Sequence, residues 1–173
     1  MLLNRLLDNL ALLYAILFLP APFFWLVIHL NIQYWRRWGS RALAWVAIPL
    51  WTACTLLLIA ERNQIYATRF DYPAARWAGA LMVLASLRVG YLVHRDFGWR
   101  RLAGLPELNP ANHRGNVVEH GIYACVRHPR YVEYMTAFFG FALLTGAVGI
   151  FALAIMTVLM YLIVAPNSLR PPS

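Results

Sequence analysis

The C-terminal third of the chain carries an apolar stretch, residues 131–165, that reads YVEYMTAFFGFALLTGAVGIFALAIMTVLMYLIVA. A helix crosses the roughly 30 Å of hydrocarbon in a bilayer with about 20 apolar residues, so this stretch is too long for one ordinary span. Glycines, which favour a turn, lie near its middle at Gly140, Gly146 and Gly149. The pattern predicts a helical hairpin, with one helix over residues 131–145 and another over residues 150–165.

Three further apolar stretches precede the hairpin. They cover residues 6–30, 42–60 and 74–94, and each is long enough for a span. Pro20 and Pro22 interrupt the first stretch, where they are expected to kink or break the helix. We therefore predict five transmembrane helices, with four as the alternative if the hairpin is a single helix.

The composition supports a membrane location for the whole chain. Of the 173 residues, 61% are hydrophobic and only 13% are charged, and the mean hydropathy is +0.57. A disordered chain is excluded, and a soluble domain of this size lacks the polar residues to cover its surface. We expect one all-α integral membrane domain over residues 1–173.

The charge pattern gives an orientation. The formal net charge is +8, and all fifteen basic residues are Arg. They lie in short connectors rather than on one solvated face, which favours contact with anionic lipid headgroups over nucleic acid. In the five-helix arrangement ten Arg fall on one side of the membrane and four on the other, which places the connector 95–130 in the cytoplasm. We expect the membrane to be a bacterial inner membrane. Arg88 lies within the third span, and snorkelling to the interface is favoured slightly over a buried functional role.

The connector 95–130 holds most of the polar groups and is much longer than an ordinary loop, which indicates function. Its histidines, at positions 113, 120 and 128, are spaced by seven and eight, so no two have the spacing of three or four that puts two imidazoles next to each other on one helix face. Di-iron histidine boxes are therefore excluded, a zinc site with Cys125 stays open but is not favoured, and we expect no metal. Hydrolase and nucleotide-binding motifs are also missing from the sequence.

The end of this connector leads directly into the fourth predicted span. Pro129 suits the first position of a helix, and it pushes His128 into extended geometry at the cap. The helix N-terminus, together with Arg127 and Arg130, forms a possible socket for a carboxylate or phosphate. An aromatic stripe follows at Tyr131, Tyr134 and Phe138. This stripe is either a ligand surface or plain helix packing, and the two Arg are either ligands or headgroup contacts.

Residues 117–132, with the pattern VVxxGIYxxVRHPxYV, resemble the signature of the isoprenylcysteine carboxyl methyltransferase family, which phosphatidylethanolamine N-methyltransferases share loosely. The resemblance implies an integral membrane enzyme that takes a methyl group from S-adenosylmethionine and gives it to a lipophilic or lipid-borne acceptor. It also implies that the cofactor pocket is lined by Gly121, Tyr123, Arg127, His128, Pro129 and Tyr131.

The chemistry of the cofactor agrees with this set of residues. Its carboxylate suits Arg127 and the helix N-terminus, and its sulfonium cation suits an aromatic face such as that of Tyr123 or Tyr131. A carboxylate acceptor, which we favour, is already nucleophilic at neutral pH, so catalysis then needs mainly alignment and exclusion of water. An amine acceptor would need a base to remove its proton.

Two departures from the family pattern affect the catalytic residues. Glu133 stands where family members usually have Gly, and it could instead pair with Arg130 one helical turn earlier. The tail, residues 166–173, carries no acid, whereas the family usually closes its site with paired Glu residues after the last helix. We therefore expect Glu133 or Glu119 to act as the acid, beside Arg127.

Two other functions remain open on the sequence. Sterol-type reductases carry a related Arg-His-Pro-x-Tyr sequence and use NADPH, but their pattern usually has Asn where this chain has Arg130. A non-catalytic membrane scaffold would explain the tail without acids. The identity of the acceptor and the oligomeric state do not follow from the sequence.

Overall fold

The computed structural model describes residues 2–30, 32–38, 41–97, 121–124, 126 and 128–167. These residues form helices and turns, and within the described ranges no strand forms beyond one isolated bridge. The helices are α1 (Leu2–Phe18), α2 (Pro20–Leu30), α3 (Ile32–Trp38), α4 (Arg41–Ala60), α5 (Arg62–Ile65), α6 (Pro73–Phe97), a 3-10 turn (Gly121–Ala124), α7 (Pro129–Thr145) and α8 (Val148–Asn167).

The all-α prediction is confirmed for the part of the chain that the structure describes. Each stretch predicted as a span is helical, and α7 and α8 form the predicted hairpin. By length and composition, the stretches Leu2–Leu30 and Pro73–Arg95 suffice to cross a membrane, whereas Ala44–Ala60 and Val148–Ile163 are shorter apolar helices. Five transmembrane spans therefore stay a prediction, as does the whole connector, because residues 98–120 lie outside the described ranges.

The predicted break at the N-terminal prolines is present. α1 ends at Phe18 and α2 begins at Pro20, because a proline ring removes a backbone N–H and clashes with the preceding turn. Next to the break, the indole Nε1–H of Trp51 on α4 donates a hydrogen bond to the carbonyl of Leu17 at 3.1 Å. The interruption is thus stabilised by a neighbouring helix.

Helices α6 and α7 run antiparallel and pack closely. A Cβ atom added at Gly79 would lie 2.7 Å from the carbonyl oxygen of Gly140, and one added at Gly140 would lie 3.0 Å from that of Gly79. The backbones of the two helices therefore touch at this pair, as is common where small residues face each other between helices. On its other sides α7 packs against α1 and α8.

The core of the bundle lies between α1, α7 and α8. Its most buried members are small or medium apolar residues and one aromatic ring, namely Ala11, Ala15, Phe138, Ile150 and Ala154. Large apolar side chains cover the outside instead, and on α6 they are Trp77, Leu81, Leu84, Leu87 and Tyr91. A soluble monomer rarely exposes an apolar surface of this extent. Arg88 lies on this exposed face of α6, with its guanidinium 5.7 Å from the ring centre of Tyr91, so it is not buried in the bundle.

One end of the bundle is closed by a set of contacts that we call the clamp. The α7–α8 turn pairs with the connector before α6, through hydrogen bonds from the Phe70 N–H to the Gly146 carbonyl (2.9 Å) and from the Val148 N–H to the Thr68 carbonyl (3.0 Å). Gly146 caps α7 in the left-handed conformation, with a φ of 65°. A side chain there would collide with the Phe70 carbonyl.

The clamp also holds the start of α1. Arg69 forms a two-pronged ion pair with Asp8, with N–O distances of 3.0 and 2.9 Å, and the Tyr66 hydroxyl donates to the Asp8 carbonyl at 2.7 Å. The hydrogen bond to Asp8 raises the pKa of Arg69. Burial, and then the Asp8 carboxylate, raise the pKa of Tyr66 to about 12. Three segments distant in sequence therefore meet at this end.

Candidate functional site

The start of α7 lies at the end of the bundle opposite the clamp. Pro129 occupies the first turn and is buried, and His128 holds the cap position with a non-helical φ of −129°. Both placements agree with the prediction from the sequence. The His128 side chain makes no capping hydrogen bond, but the His128 carbonyl accepts from the N–H groups of Tyr131 (3.1 Å) and Val132 (3.4 Å). Pro129 has no N–H, so among the described residues the Arg130 N–H is the first-turn donor that stays available to a ligand. The site therefore begins at a helix N-terminus that the side chain of its cap residue does not close.

Aromatic rings stack beside this helix start. The His128 and Tyr131 rings lie 5.0 Å apart and 10° from parallel, and the Tyr131 and Tyr161 rings lie 4.2 Å apart at 26°. We call these three rings the aromatic stack. Tyr161 comes from α8 and is 3% exposed. Its hydroxyl is buried and finds no hydrogen-bond partner among the described residues, which costs free energy unless a ligand or water satisfies it.

The predicted aromatic stripe is divided between two roles. Tyr134 and Phe138 are buried in the core, where Tyr134 meets Phe18 at 4.8 Å and Phe138 meets Tyr14 at 5.1 Å between ring centres. These two residues are therefore helix packing. Tyr131 is half-buried in the aromatic stack next to the helix start, and the Tyr134 ring also faces Tyr161, with 6.3 Å between ring centres.

The side chain of Arg130 forms its contacts with a residue of its own helix. Its Nε–H donates to the Tyr134 hydroxyl, and its guanidinium lies 5.1 Å from the centre of the same ring. The suggested ion pair between Arg130 and Glu133 is therefore wrong, because Arg130 turns toward the ring and Glu133 turns away. Arg130 still acts on Glu133 through its charge.

Glu133 points from α7 toward α6. Its Oε1 atom lies where the side chain of residue 90 would be, 2.5 Å from a Cβ added at Gly90. The carboxylate is half-buried and forms no hydrogen bond or ion pair with another described residue. A carboxylate held in this way is free to bind a cation or to accept a proton.

The 3-10 turn brings two further predicted residues to the site. Gly121 has a positive φ of 63°, which favours glycine at the start of the turn. Tyr123 is half-buried and lies within electrostatic range of Tyr134, and the turn packs against α6. Two other predicted site residues, Arg127 and Glu119, lie outside the described residues, as do His113, His120 and Cys125. Within the described ranges no group of three His, Cys, Asp or Glu residues could hold a metal.

Sequence reasoning missed two tyrosines of this region. Tyr14 on α1 lies within electrostatic range of Glu133, Tyr134 and Arg130, and Tyr161 joins the aromatic stack from α8. Each is a polar hydroxyl in the middle of a predicted apolar span, and that signal could have singled them out.

Comparison with protein families identifies the region that carries this site. The family described as phospholipid methyltransferase (PEMT) matches residues 76–167, more than half of the chain. The chain belongs to the phospholipid methyltransferase family. No curated protein and no solved structure matches it.

The family match begins near the start of α6 and ends with α8. The region that matches the phospholipid methyltransferase family therefore includes both partners of the Gly90–Glu133 contact and the whole aromatic stack. The match confirms the resemblance to membrane methyltransferases that the VRHPxY segment indicated. It gives no support to a sterol-type reductase or to a scaffold.

Proposed function

We propose that this protein is an S-adenosylmethionine-dependent methyltransferase that transfers a methyl group to a lipophilic or lipid-borne acceptor. The observation that carries the proposal is the start of α7, where a helix N-terminus without a side-chain cap lies beside a stack of rings, and a half-buried carboxylate follows one turn along the same helix. All three lie within the segment that the family matches.

The residues at this helix start fit the cofactor by their chemistry. The Arg130 N–H and the Arg127 side chain suit its carboxylate, as anions bind at helix N-termini. The faces of Tyr131 and Tyr123 suit its cationic sulfur, with an attraction of roughly 0.5–2 kcal/mol. Gly121, His128 and Pro129 shape the turn into the helix, and the Tyr161 hydroxyl, which has no partner among the described residues, offers one more donor. When bound, the cofactor would supply the methyl group and keep the electron pair of the broken C–S bond.

Glu133 supports an amine acceptor rather than the carboxylate that we favoured on the sequence. A carboxylate acceptor would be repelled by the half-buried charge of Glu133. An ammonium acceptor would instead be attracted, and Glu133 could take its proton at Oε1. The freed lone pair then forms the new N–C bond. Glu119 is the other candidate for this base.

The proposal includes a membrane setting. The exposed apolar face of α6 supports five spans across a bilayer, with the start of α7 on the cytoplasmic side of a bacterial inner membrane. Arg positions support this orientation. The lipid acceptor would then reach Glu133 from the inner leaflet.

Calorimetry on detergent-purified protein tests the cofactor. We expect the protein to bind S-adenosylhomocysteine and not NADPH. We expect Arg127→Ala to raise the Kd for S-adenosylhomocysteine at least tenfold, since a charge-assisted contact is worth roughly 1.5–3 kcal/mol. Arg88→Ala is the matched control, because Arg88 lies on the outer face of α6. Binding of NADPH alone would support a reductase, and binding of neither would support a scaffold.

Transfer of a labelled methyl group tests the acceptor. Wild-type protein is offered vesicles that contain either an amine-headgroup phospholipid or a long-chain fatty acid. We expect label in the amine lipid, and a fall in kcat of about 10²–10⁴ for Glu133→Gln if it is the general base. Glu61→Gln, an exposed acid at the clamp end, is the control. If Glu119→Gln rather than Glu133→Gln shows this loss, Glu119 is the base, and label in the fatty acid would restore the carboxylate acceptor.

A further inference from the structure

Gly90 differs from the other glycine of α6 that faces α7. At Gly79 the obstacles to a side chain are backbone atoms of α7, the Gly140 oxygen and the Leu144 nitrogen, each 2.7 Å away. At Gly90 the obstacles are the Oε1 and Cδ atoms of Glu133, at 2.5 and 2.9 Å. The first glycine lets two backbones meet, whereas the second leaves room for a carboxylate.

The inner face of α6 shows that this room is specific to position 90. Residues 83, 86, 90 and 93 recur at helical spacing, and Ser86 and Val93 are buried on that face with side chains in place. Helix packing therefore tolerates a side chain one turn before and one turn after Gly90. The three heavy atoms nearest to the space at position 90 all belong to Glu133.

We propose that Gly90 is a positioning residue, which sets the place of the Glu133 carboxylate by leaving a notch for it in α6. This inference rests on the proposed function, in which Glu133 takes a proton from the acceptor. The carboxylate makes no hydrogen bond to the described residues, and the groups that act on it through charge, Arg130 on its own helix and Tyr14 and Tyr134, do not bond to it. Within the part of the chain that the structure describes, its position is therefore limited by the available space.

The structure gives the size of the disturbance that a methyl group would cause. A Cβ at position 90 starts 2.5 Å from Oε1, and ordinary contact begins at 3.4 Å, so the carboxylate must move by about 0.9 Å. A displacement of about 1 Å at a reacting group costs up to about 100-fold in rate. We expect Gly90→Ala to lower kcat by about 10- to 100-fold and to leave the Kd for S-adenosylhomocysteine within about twofold.

Gly79→Ala serves as the matched control on the same face of the same helix. It disturbs the α6–α7 packing without touching Glu133, so it should lower thermal stability at least as much as Gly90→Ala while kcat falls less than about threefold. The rescue variant combines Gly90→Ala with Glu133→Asp, whose carboxylate oxygens extend only as far as the Cδ atom of Glu133, so that the 2.5 Å contact at Oε1 is removed. We expect Gly90→Ala to change kcat by less than about threefold in the Glu133→Asp background.

A second readout does not need methyl transfer. Dicyclohexylcarbodiimide modifies carboxyl groups in apolar surroundings, and mass spectrometry follows its reaction with Glu133. We expect Gly90→Ala to change this labelling rate at least threefold and Gly79→Ala to leave it unchanged. If the wild-type protein shows no methyl transfer but Gly90→Ala still changes the labelling rate of Glu133, the proposed function is rejected and the positioning role of Gly90 stands.

The proposal is overturned by either of two results. In the first, Gly90→Ala lowers kcat by the same factor in the wild-type and Glu133→Asp backgrounds, so that the two positions act independently. In the second, the labelling rate of Glu133 in Gly90→Ala equals that of the wild type, which shows that the carboxylate has not moved.

Discussion

The ion pair between Asp8 and Arg69 allows a quantitative test of the clamp. The two hydrogen bonds join side chains that are 61 positions apart in the sequence. The Asp8 side chain is 12% exposed and that of Arg69 is 36% exposed. Asp8→Ala removes both hydrogen bonds and leaves Arg69 with an uncompensated charge.

The expected loss of stability follows from these exposures. A hydrogen bond between charged groups is worth roughly 1.5–3 kcal/mol when water is excluded, and Arg69 would recover part of this from solvent. We expect Asp8→Ala to lower the free energy of unfolding by about 2 kcal/mol. Asp71→Ala is the matched control, because its ion pair with Arg76, at 3.2 Å, is exposed on both sides, and such pairs contribute about 0–1 kcal/mol.

Unfolding in mixed micelles of mild detergent and dodecyl sulfate, followed by far-UV circular dichroism, measures both variants. A double-mutant cycle with Arg69→Ala isolates the pair, and we expect a coupling energy of about 1–2 kcal/mol. The Kd for S-adenosylhomocysteine should not change, because the clamp is at the other end of the bundle. If Asp8→Ala costs no more than Asp71→Ala, the clamp does not stabilise the fold in the way that its geometry indicates.

Three further outcomes follow from single hydroxyl or indole groups. Because the pKa of Tyr66 is raised in the folded protein to about 12, the free energy of unfolding should fall as the pH rises from 10 to 12. The Tm of Tyr66→Phe should therefore depend less on pH over that range than the Tm of the wild type. Tyr161→Phe should leave the stability of the ligand-free protein unchanged or raise it by up to about 1 kcal/mol, since the hydroxyl finds no partner in the described ranges; a clear loss in chemical unfolding would reveal a partner. Trp51→Phe should lower the free energy of unfolding by about 0.5–1.5 kcal/mol by removing the hydrogen bond to Leu17, and an unchanged midpoint would contradict this.

The helices were predictable because their signals are local. A run of apolar residues, a proline at the first position and glycines at a turn each act within a few residues. The helix predicted over residues 131–145 is observed as Pro129–Thr145, and the one predicted over residues 150–165 as Val148–Asn167. The prolines at positions 20 and 22 likewise predicted where the first helix breaks.

The contacts of the site were only partly predictable, because they join helices. The sequence placed Glu133 one turn after Arg130 and suggested an ion pair, yet Arg130 bonds to Tyr134 and Glu133 enters the notch at Gly90. Spacing along one helix gives the face on which a residue lies but not the residue opposite. The position of Tyr161 against Tyr131 depends in the same way on how α8 packs on α7.

The register of α6 against α7 connects the clamp to the candidate site. The contact between Gly79 and Gly140 lies between the clamp and the notch, and Gly90 follows Gly79 by eleven residues, about 16 Å along the helix. A shift of α6 by one residue would move the notch by about 1.5 Å. This is more than the movement of about 0.9 Å that we expect for the Glu133 carboxylate in Gly90→Ala. The backbone hydrogen bonds at Gly146 and Val148 fix the end of α7 against the start of α6. The clamp therefore holds the register of α6 along α7, and within that register the glycine at position 90 sets the place of Glu133.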